Sequence, residues 1–278
     1  MKKACVIGYP ITHSRSPLIH NHWLKTYGLE GLYEKRQVEP ENLGAFLANL
    51  TNNGYVGCNV TIPHKETAIS YVPEIDAIVR KIGSLNTLYF QAGALKATST
   101  DGEGFYQNLR TSIPALDLVG KTALVIGAGG SARAVIERLI RADMAKLYIV
   151  NRTLARADEL AQVFGPRVIP SPTSILPKLL EQTDLLINTT SQGMTGQPEL
   201  EIDLSALPAS AIVADLIYVP LKTNLIKAAE ARGLCAVGGL GMLLHQAVVG
   251  FEKWFGVKPL VTDELYRLIA RDIDPDFR

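Results

Sequence analysis

The sequence predicts an α/β protein of two domains, one of them built on a doubly wound parallel sheet. From residue 121 onward, apolar runs typical of strands buried on both faces alternate with helical patterns, as in a parallel sheet with right-handed crossovers. The first hundred residues also alternate strand and helix patterns. Gly102 and Gly104 mark a compositional hinge between the two regions. The length of 278 residues suits two domains of about 100–150 residues each.

The first region contains short strand patterns and helical patterns in alternation. Ser16 and Pro17 are placed as the N-cap and first residue of the first helix, because serine can accept a helical N–H and proline lacks one. The predicted strands cover residues 4–8, 32–38, 57–62, 84–90 and 94–98, the last two as a hairpin. The predicted helices cover residues 17–27 and 40–50, with further helical pattern to about residue 81.

In the second region, strand and helix patterns alternate more clearly than in the first. Residues 122–126 form a continuous apolar run, which indicates a strand covered on both faces. The residues from about 240 onward predict two helices, separated by Gly256 and Pro259. Further strands are predicted at 146–150, 168–169, 185–188 and 212–215, and the helices between them include 132–142 and 155–164.

Composition and charge narrow the class of protein. The sequence is 47% hydrophobic and 20% charged with a net charge of +1, so no bulk electrostatic field attracts nucleic acid or an acidic membrane. It has no run of about 18 apolar residues and no secretory signal pattern, so the cytoplasm is the expected location. Cys5, Cys58 and Cys235 form no Cys-x-x-Cys pair, so neither a disulfide framework nor a zinc site is expected. The expected partner is a small molecule, and the oligomeric state stays open between monomer and homodimer.

A glycine-rich turn follows the first strand of the second region. Gly127 permits the sharp turn, Gly129 leaves the backbone bare for a pyrophosphate, and Ala132 allows the helix to pack closely on the strand. The following helix offers free N–H groups and the positive end of its dipole to phosphates. Because strand, turn and helix stand in register, we expect a dinucleotide here rather than an empty turn. The predicted contacts are Gly127, Ala128, Gly129, Gly130 and Ser131.

The residues after the second strand of this region, 146–150, distinguish NADP from NAD. Asn151 stands 24 positions after Gly127, where NAD-binding sheets usually carry a carboxylate for the ribose. Arg152 and Thr153 follow, with Arg156 one turn later, so guanidinium groups are available for a 2′-phosphate. Taken alone, Arg152 could equally be a solvent-exposed arginine at the start of a helix. Together, Asn151, Arg152, Thr153 and Arg156 predict an NADP site.

Three polar clusters in the first region are not explained as folding signals. They combine hydroxyls, amides, one lysine and one aspartate at the ends of predicted strands, which suits a small substrate with several hydroxyl groups. The clusters are Ser14-x-Ser16, Asn59-Val60-Thr61-Ile62-Pro63-His64-Lys65, and Asn86-Thr87 together with Thr100-Asp101-Gly102.

Along essentially the whole chain, the sequence resembles the shikimate dehydrogenase family. The resembling motifs are the three polar clusters, the Gly127 turn, Asn151-Arg152-Thr153, Asp215-x-x-Tyr218-x-Pro220 and Gly239-x-Gly241-Met242-Leu243-x-x-Gln246. The resemblance implies reversible, NADPH-dependent reduction of 3-dehydroshikimate to shikimate, on the route to aromatic amino acids. It implies Lys65 and Asp101 as the catalytic pair, and Leu216 and Gly239 at the nicotinamide end of NADP. It also implies substrate contacts from Ser14, Ser16, Thr61, Lys65, Asn86, Asp101, Tyr218 and Gln246.

The chemistry of the polar clusters agrees with that resemblance. Hydride addition to a ketone places negative charge on its oxygen, and a nearby cationic donor stabilises that charge and supplies the proton. Lys65 is the lysine of these clusters, and Asp101 would hold its ammonium group in place. Taken alone, Lys65 could be a solvent-exposed surface lysine, and Asp101 could be the N-cap of a helix. Asp101 could also serve both as an N-cap and as the partner of Lys65. His13 and His64 are expected to be dispensable, and no metal ion is expected.

The predicted domains differ in role. Residues 1–101 with 240–278 are expected to bind the substrate and residues 102–239 to bind NADP, with the active site in the cleft between these domains. Two other functions stay open. One is a quinate/shikimate dehydrogenase with broader substrate or cofactor use, which NAD use would favour. The other is a module that binds NADP or shikimate without turnover. The presence of both Lys65 and Asp101, the implied catalytic pair, argues against this second alternative.

Overall fold

The computed structural model describes residues 1–277, which form two compact units. The first unit comprises Met1–Asp101 and Leu244–Ile269. The second unit comprises Gly102–Leu243 and the chain from Ala270 onward. Each unit is built on a six-stranded sheet with accompanying helices, which confirms the predicted α/β class.

The sheet of the first unit is mixed. Its strands are β1 Lys2–Gly8, β2 Gly31–Gln37, β3 Tyr55–Val60, β4 Glu74–Ile75, β5 Thr87–Gln91 and β6 Ala94–Thr98, in the order β2-β1-β3-β5-β6-β4. β1 runs parallel to both β2 and β3, whereas β5 runs antiparallel to β3 and β6. The predicted hairpin is therefore present as β5 and β6. The two-residue β4 is not predicted, because a helical pattern covers that stretch.

The first helix begins one residue earlier than its pattern predicts. The helices of the first unit are α1 Ser16–Thr26, α2 Leu43–Ala48 and α3 Ala77–Ile82, with 3-10 turns at Pro40–Asn42 and Thr67–Tyr71. The predicted N-cap at Ser16 is wrong, because Arg15 already has α-region backbone angles (φ −93°, ψ −3°) and stands in the cap position. The Ser14 hydroxyl accepts the Ser16 backbone N–H at 3.3 Å instead.

A tryptophan joins a C-terminal helix to the first sheet. This helix, α9, spans Leu240–Phe255. The indole N–H of Trp254 donates to the backbone carbonyl of Leu88 on β5 at 2.9 Å. Gly57, with φ +156°, makes room for the ring, since a Cβ at that position would overlap the indole nitrogen. The contact holds the helix segment that carries Gln246 against the sheet.

The sheet of the second unit is entirely parallel. Its strands are β7 Thr122–Ile126, β8 Lys146–Val150, β9 Val168–Ser171, β10 Leu185–Asn188, β11 Ile212–Asp215 and β12 Cys235–Val237, in the order β12-β11-β10-β7-β8-β9. The remaining helices are α4 Asp101–Ser112, α5 Gly130–Arg141, α6 Leu154–Phe164, α7 Leu176–Leu180, α8 Asn224–Ala231 and α10 Asp263–Ile273. Because the chain winds outward on both sides of β7 and β10, the strand order reverses between these two strands. The predicted doubly wound sheet is confirmed.

The central strand of this sheet is covered on both faces. Ala123 and Val125 of β7 belong to one buried apolar cluster, together with residues of α5. Leu124 and Ile126 alternate with them and belong to a second cluster, together with residues of α7 and α8. The continuous apolar run therefore becomes a strand with helices packed on each side, and the turn that follows it is held at the switch point of the sheet.

Candidate active site

Lys65 and Asp101 form a largely shielded ion pair in the first unit. Lys65 stands in the turn after β3, and Asp101 is the first residue of α4. The Lys65 Nζ lies 2.5 Å from Asp101 Oδ2, and the two side chains are 17% and 8% exposed. Little water competes for such a pair, so its attraction exceeds that of a surface ion pair. The structure thus brings together two predicted residues that stand 36 positions apart.

A backbone hydrogen bond holds the turn at Lys65, and the Lys65 ammonium group keeps N–H donors for a ligand. The backbone carbonyl of Lys65 accepts the Leu85 N–H at 2.9 Å. Among the described residues, the ammonium group donates to Asp101 alone. A lysine ammonium has three N–H donors, so the remainder can reach a ligand oxygen.

Asn86 orients the second oxygen of the Asp101 carboxylate. The Asn86 Nδ2 donates to Asp101 Oδ1 at 2.8 Å. Its Oδ1 accepts the Thr100 backbone N–H at 2.9 Å and the Thr87 hydroxyl at 3.0 Å. The same Nδ2 donates to Gln246 Oε1 at 3.2 Å, across a separation of 160 positions. Asn86 therefore joins Asp101 and Gln246 in one network, and the ion pair extends that network to Lys65.

Two loops at the carboxyl ends of β1 and β3 carry the predicted hydroxyl contacts. The loop after β1 contains the half-buried Ser14, and the buried Ser16 is the first residue of the helix α1 that follows it. The half-buried Thr61 follows β3, and its backbone N–H donates to the Ile7 carbonyl of β1 at 2.9 Å. Because β1 and β3 are parallel neighbours, this bond holds the starts of the two loops side by side.

In the second unit, the turn after β7 has the features that a pyrophosphate requires. Gly127 has φ +111°, and a Cβ there would lie 2.5 Å from Thr189 Oγ1, so glycine is required at this position. At Gly129 a Cβ would meet nothing within 4 Å, so its bare backbone faces open space. α5 begins at Gly130, and no side chain caps its N-terminus. Open backbone beside an uncapped helix N-terminus fits a bound phosphate group.

The predicted 2′-phosphate residues lie at the start of α6. The Asn151 Nδ2 donates to the Thr153 carbonyl at 2.8 Å and closes the turn after β8. Arg152, Thr153 and Arg156 are exposed. Within residues 1–277 the side chains of the two arginines form no hydrogen bond or ion pair, so both guanidinium groups can turn toward an anionic ligand.

Leu216 and Gly239 lie directly against each other in the second unit. A Cβ on Gly239 would overlap the Leu216 carbonyl oxygen, so only glycine allows this approach. The Gly239 backbone N–H donates to the Ile217 carbonyl at 3.0 Å. Tyr218, the predicted substrate contact of this unit, is half-buried in the same loop as Leu216. The remaining predicted substrate contacts belong to the first unit.

A buried carboxylate anchors the loop after β11. Asp215 Oδ1 accepts the Asn188 Nδ2 at 3.1 Å and the Ile217 N–H at 3.0 Å, while Oδ2 accepts the Thr223 hydroxyl at 2.7 Å. Burial raises the pKa of Asp215 above its ordinary value, although these hydrogen bonds oppose the shift. The network ties β10, β11 and the start of α8 together beneath the loop.

Comparison with known proteins identifies the family. A model of the shikimate dehydrogenase substrate binding domain matches residues 6–88, one of shikimate/quinate 5-dehydrogenase matches 109–197, and one of the shikimate 5′-dehydrogenase C-terminal domain matches 239–263. A relative from Rhodopseudomonas palustris (strain BisB18), named shikimate dehydrogenase (NADP(+)), is 51% identical over 275 residues, or 99% of each chain. The chain belongs to the shikimate dehydrogenase family. The family expected from the motifs is therefore confirmed.

Solved structures of similar proteins share the fold along nearly the whole chain. A shikimate 5-dehydrogenase from Thermus thermophilus, solved with NADP(H) and shikimate, is 33% identical with a TM-score of 0.87 and covers 98% of this chain and 100% of its own. Quinate dehydrogenase from Corynebacterium glutamicum, solved with NAD, is 26% identical with a TM-score of 0.88, covering 96% and 98%. The predicted NADP cofactor agrees with the name of the R. palustris relative and with the T. thermophilus complex.

Several polar residues of this family member escape sequence reasoning. The polar clusters contain Asn59, Thr87 and Thr100, to which the sequence assigns no separate role. Tyr33 has the pattern of an ordinary buried strand residue. Asn188 ends a buried strand of the second sheet, and a polar side chain in that position is the signal that could have found it. Asp215 belongs to one of the resembling motifs, but the sequence analysis gives it no role of its own.

The His64 ring is held by a backbone carbonyl. His64 is buried, and its Nε2 lies 2.7 Å from the Val38 carbonyl, so the ring is engaged by the fold. Residues 1–277 contain no group of three or more His, Cys, Asp or Glu side chains placed to hold a metal ion. In the same part of the chain, none of the helices has the length and apolar character needed to cross a membrane.

Proposed function

We propose that this protein catalyses the reversible, NADPH-dependent reduction of 3-dehydroshikimate to shikimate. The observation that carries the proposal is the 2.5 Å Lys65–Asp101 pair, whose second carboxylate oxygen is held by Asn86. It supplies a positioned cation beside amide and hydroxyl groups, as reduction of a polyhydroxylated ketone requires. The neighbouring Gln246 adds another polar group to the same network.

In the proposed reaction, Lys65 is the proton donor. When bound, NADPH supplies the hydride that adds to the ketone carbon and breaks the carbonyl π bond. The Lys65 ammonium stabilises the negative charge that develops on the ketone oxygen and transfers one proton to it. Asp101 keeps the Nζ in place through the ion pair, and its carboxylate compensates the positive charge of the ammonium group in this shielded site. In the direction of shikimate oxidation, neutral Lys65 accepts the hydroxyl proton.

The remaining polar residues are proposed to hold the substrate. Hydroxyl groups of Ser14, Ser16 and Thr61 suit a carboxylate, because each can donate a hydrogen bond to it. The amide side chains of Asn86 and Gln246 are proposed to contact substrate hydroxyls in exchange for the 3.2 Å hydrogen bond that joins them here. Tyr218 is a further proposed contact. A substrate without the matching hydroxyls would form fewer hydrogen bonds with these groups and would be bound less tightly.

The second unit is proposed to bind NADP. The bare backbone at Gly129 and the uncapped start of α5 support a pyrophosphate site. The exposed guanidinium groups of Arg152 and Arg156 would grip the 2′-phosphate. The further proposed cofactor contacts are Gly127, Ala128, Gly130, Ser131, Asn151, Thr153, Leu216 and Gly239.

Three broader assignments belong to the same proposal. Residues 1–101 with 240–278 would serve as the substrate domain, and residues 102–239 as the NADP domain. The protein would act in the cytoplasm. It would do so as a monomer or a homodimer, which sedimentation of the purified protein distinguishes.

A comparison of initial rates tests the proposal. We would measure turnover of shikimate and of quinate, each with NADP⁺ and with NAD⁺. The proposal expects shikimate with NADP⁺ to have the highest kcat/KM of the four combinations. Comparable turnover of quinate, or a preference for NAD⁺, would assign the broader quinate/shikimate activity instead. Binding of shikimate and NADP⁺ without turnover in any combination would assign a non-catalytic binding module.

A further inference from the structure

A continuous hydrogen-bond path runs behind the Lys65–Asp101 pair into the core of the first unit. The Tyr33 hydroxyl donates to Asn59 Oδ1 at 2.6 Å. The Asn59 Nδ2 donates to the Asn86 backbone carbonyl and to the Thr87 hydroxyl, both at 3.1 Å. The Thr87 hydroxyl donates to Asn86 Oδ1 at 3.0 Å, and the Asn86 side chain then reaches Asp101. These residues are at most 6% exposed, so water does not compete for the path.

The direction of every bond in this path is fixed by a backbone group. A backbone carbonyl only accepts, so the carbonyl of Asn86 requires the Nδ2 of Asn59 to face it. The Oδ1 of Asn59 must then face Tyr33, whose hydroxyl has to donate. At the other end, the Thr100 backbone N–H requires the Oδ1 of Asn86. The Asn86 Nδ2 is thereby directed to Asp101, as the proposed chemistry needs.

The surroundings of Tyr33 keep its hydroxyl a donor. The ring stacks on His20, with centroids 4.0 Å apart and an interplanar angle of 14°. Burial raises the pKa of the Tyr33 hydroxyl well above its usual value, with smaller contributions from Cys5 and Cys58, and the nearby Ser16 side chain opposes the shift in part. The hydroxyl therefore stays protonated over the pH range in which the enzyme would be assayed.

We infer that Tyr33 is a positioning residue for the proposed reaction, which acts through Asn59, Thr87 and Asn86 to fix Asp101 and, through it, the Lys65 ammonium. The inference rests on the proposed function. Loss of the Tyr33 hydroxyl would leave Asn59 Oδ1 without a donor in a dry site, where an unsatisfied group shifts rather than stays unpaired. A shift of Asn59 passes to Asn86 and Asp101, because each bond in the path is shared with the next.

Tyr33→Phe tests the inference with a matched control. The change removes one oxygen atom and keeps the ring stacked on His20. Tyr55→Phe removes the hydroxyl of another buried tyrosine in the same unit, one that donates to Glu34 outside the path. We expect Tyr33→Phe to lower kcat for shikimate about three- to tenfold and to change KM less than twofold, since proton transfer depends on placement more than ground-state binding does. Tyr55→Phe should leave both constants within twofold of the wild type.

A double-mutant cycle separates positioning from a general loss of structure. If Tyr33 acts through Asp101, then Tyr33→Phe should cost less than a further twofold in an Asp101→Asn background. An unchanged kcat in Tyr33→Phe would overturn the inference, and so would an effect that multiplies fully with that of Asp101→Asn. Wild-type and Tyr55→Phe proteins that bind shikimate without turning it over would overturn the proposed function, and the inference with it.

Thr87 gives a second test if Tyr33→Phe does not fold. Thr87→Val removes the hydroxyl at nearly constant shape, and Thr87→Ser keeps it. The inference expects Thr87→Val to lower kcat severalfold and Thr87→Ser to recover most of the loss. Equal activities of the two variants would overturn it, because a purely packing role would not distinguish the hydroxyl.

Discussion

The Lys65 ammonium occupies one oxygen of the Asp101 carboxylate, Oδ2 at 2.5 Å, and leaves the other to an amide donor. A carboxylate that accepts from both sides cannot rotate freely. The ammonium group of Lys65 is therefore positioned by Asp101, whose carboxylate is in turn positioned by Asn86. In such a site, preorganisation lowers the cost of aligning the proton donor during the reaction.

Lys65→Ala should abolish most of the turnover while leaving binding nearly intact. We expect kcat for shikimate to fall by at least about a hundredfold, because the proton donor is lost, while the Kd for shikimate stays within about threefold. Initial rates and calorimetric titration measure the two quantities. Lys96→Ala is the matched control, since Lys96 forms an ion pair with Glu74 in the same unit at 3.0 Å. An unchanged kcat in Lys65→Ala would rule out its proposed role.

Gly129→Ala should separate cofactor binding from folding. The backbone at Gly129 (φ −89°, ψ −171°) suits any residue, and the added methyl would meet no protein atom within 4 Å. We expect the free energy of unfolding to fall by less than about 1 kcal/mol. The Kd for NADP⁺ should rise at least tenfold, because the methyl group would occupy the space of the pyrophosphate. Urea unfolding and calorimetric titration provide the two readouts. Unweakened binding would argue against a pyrophosphate at this turn.

Gly127→Ala is the contrasting variant on the same turn. Its new methyl would stand 2.5 Å from Thr189 Oγ1, on a residue with φ +111°. We expect a loss of about 1–3 kcal/mol in the free energy of unfolding, from backbone strain and steric overlap. Gly129→Ala and Gly127→Ala should therefore differ in urea midpoint, and equal midpoints would contradict the described geometry.

Arg152→Ala should weaken the preference for NADP⁺. Loss of a charge-assisted hydrogen bond costs about 1.5–3 kcal/mol, or roughly 10- to 150-fold in affinity. We expect the KM for NADP⁺ to rise by about this factor and the KM for NAD⁺, which lacks the 2′-phosphate, to change less than threefold. Arg110→Ala, which removes an exposed arginine of α4 in the same unit, is the control. An equal rise for both dinucleotides would place Arg152 away from the 2′-phosphate.

His20 should make the protein less stable as the pH falls below about 6.5. Burial among aromatic rings lowers the pKa of His20 from 6.5 to about 3, and the nearby Asn59 side chain opposes that shift in part. Between these pKa values the unfolded chain binds a proton that the folded protein does not, so the free energy of unfolding falls with falling pH. At pH 5 the loss relative to pH 8 should be about 2 kcal/mol from this group.

Unfolding of His20→Phe isolates that contribution. Phenylalanine keeps an aromatic ring beside Tyr33 and Phe251 and removes the titrating group. Urea unfolding of wild type and variant at pH 8 and pH 5 should show a smaller pH-dependent loss in the variant. The same loss in both proteins would mean that His20 is not buried neutral.

Local patterns predicted most of this molecule. The apolar run at residues 122–126, the glycines after it and the arginines at the start of α6 are short-range features, each explained by strand burial, turn geometry or charge. The prediction of the N-cap at Ser16 failed by one residue, because serine chemistry favours the cap but the backbone of Arg15 had already entered the helical region. One-residue errors of this kind are typical of helix ends, because terminal turns fray and side-chain chemistry does not fix the backbone angles of the first residue.

The network behind the ion pair could only be decided by tertiary structure. Tyr33 is an ordinary aromatic strand residue in the sequence, yet its hydroxyl meets Asn59, 26 positions later. Likewise Asn86 meets Gln246 because α9 packs on the first sheet, where Trp254 donates to the Leu88 carbonyl. Sequence patterns report a side chain's chemistry and its periodicity. Which buried donor meets which acceptor depends on strand order and register, which arise only when distant segments pack and each buried polar group must find a partner.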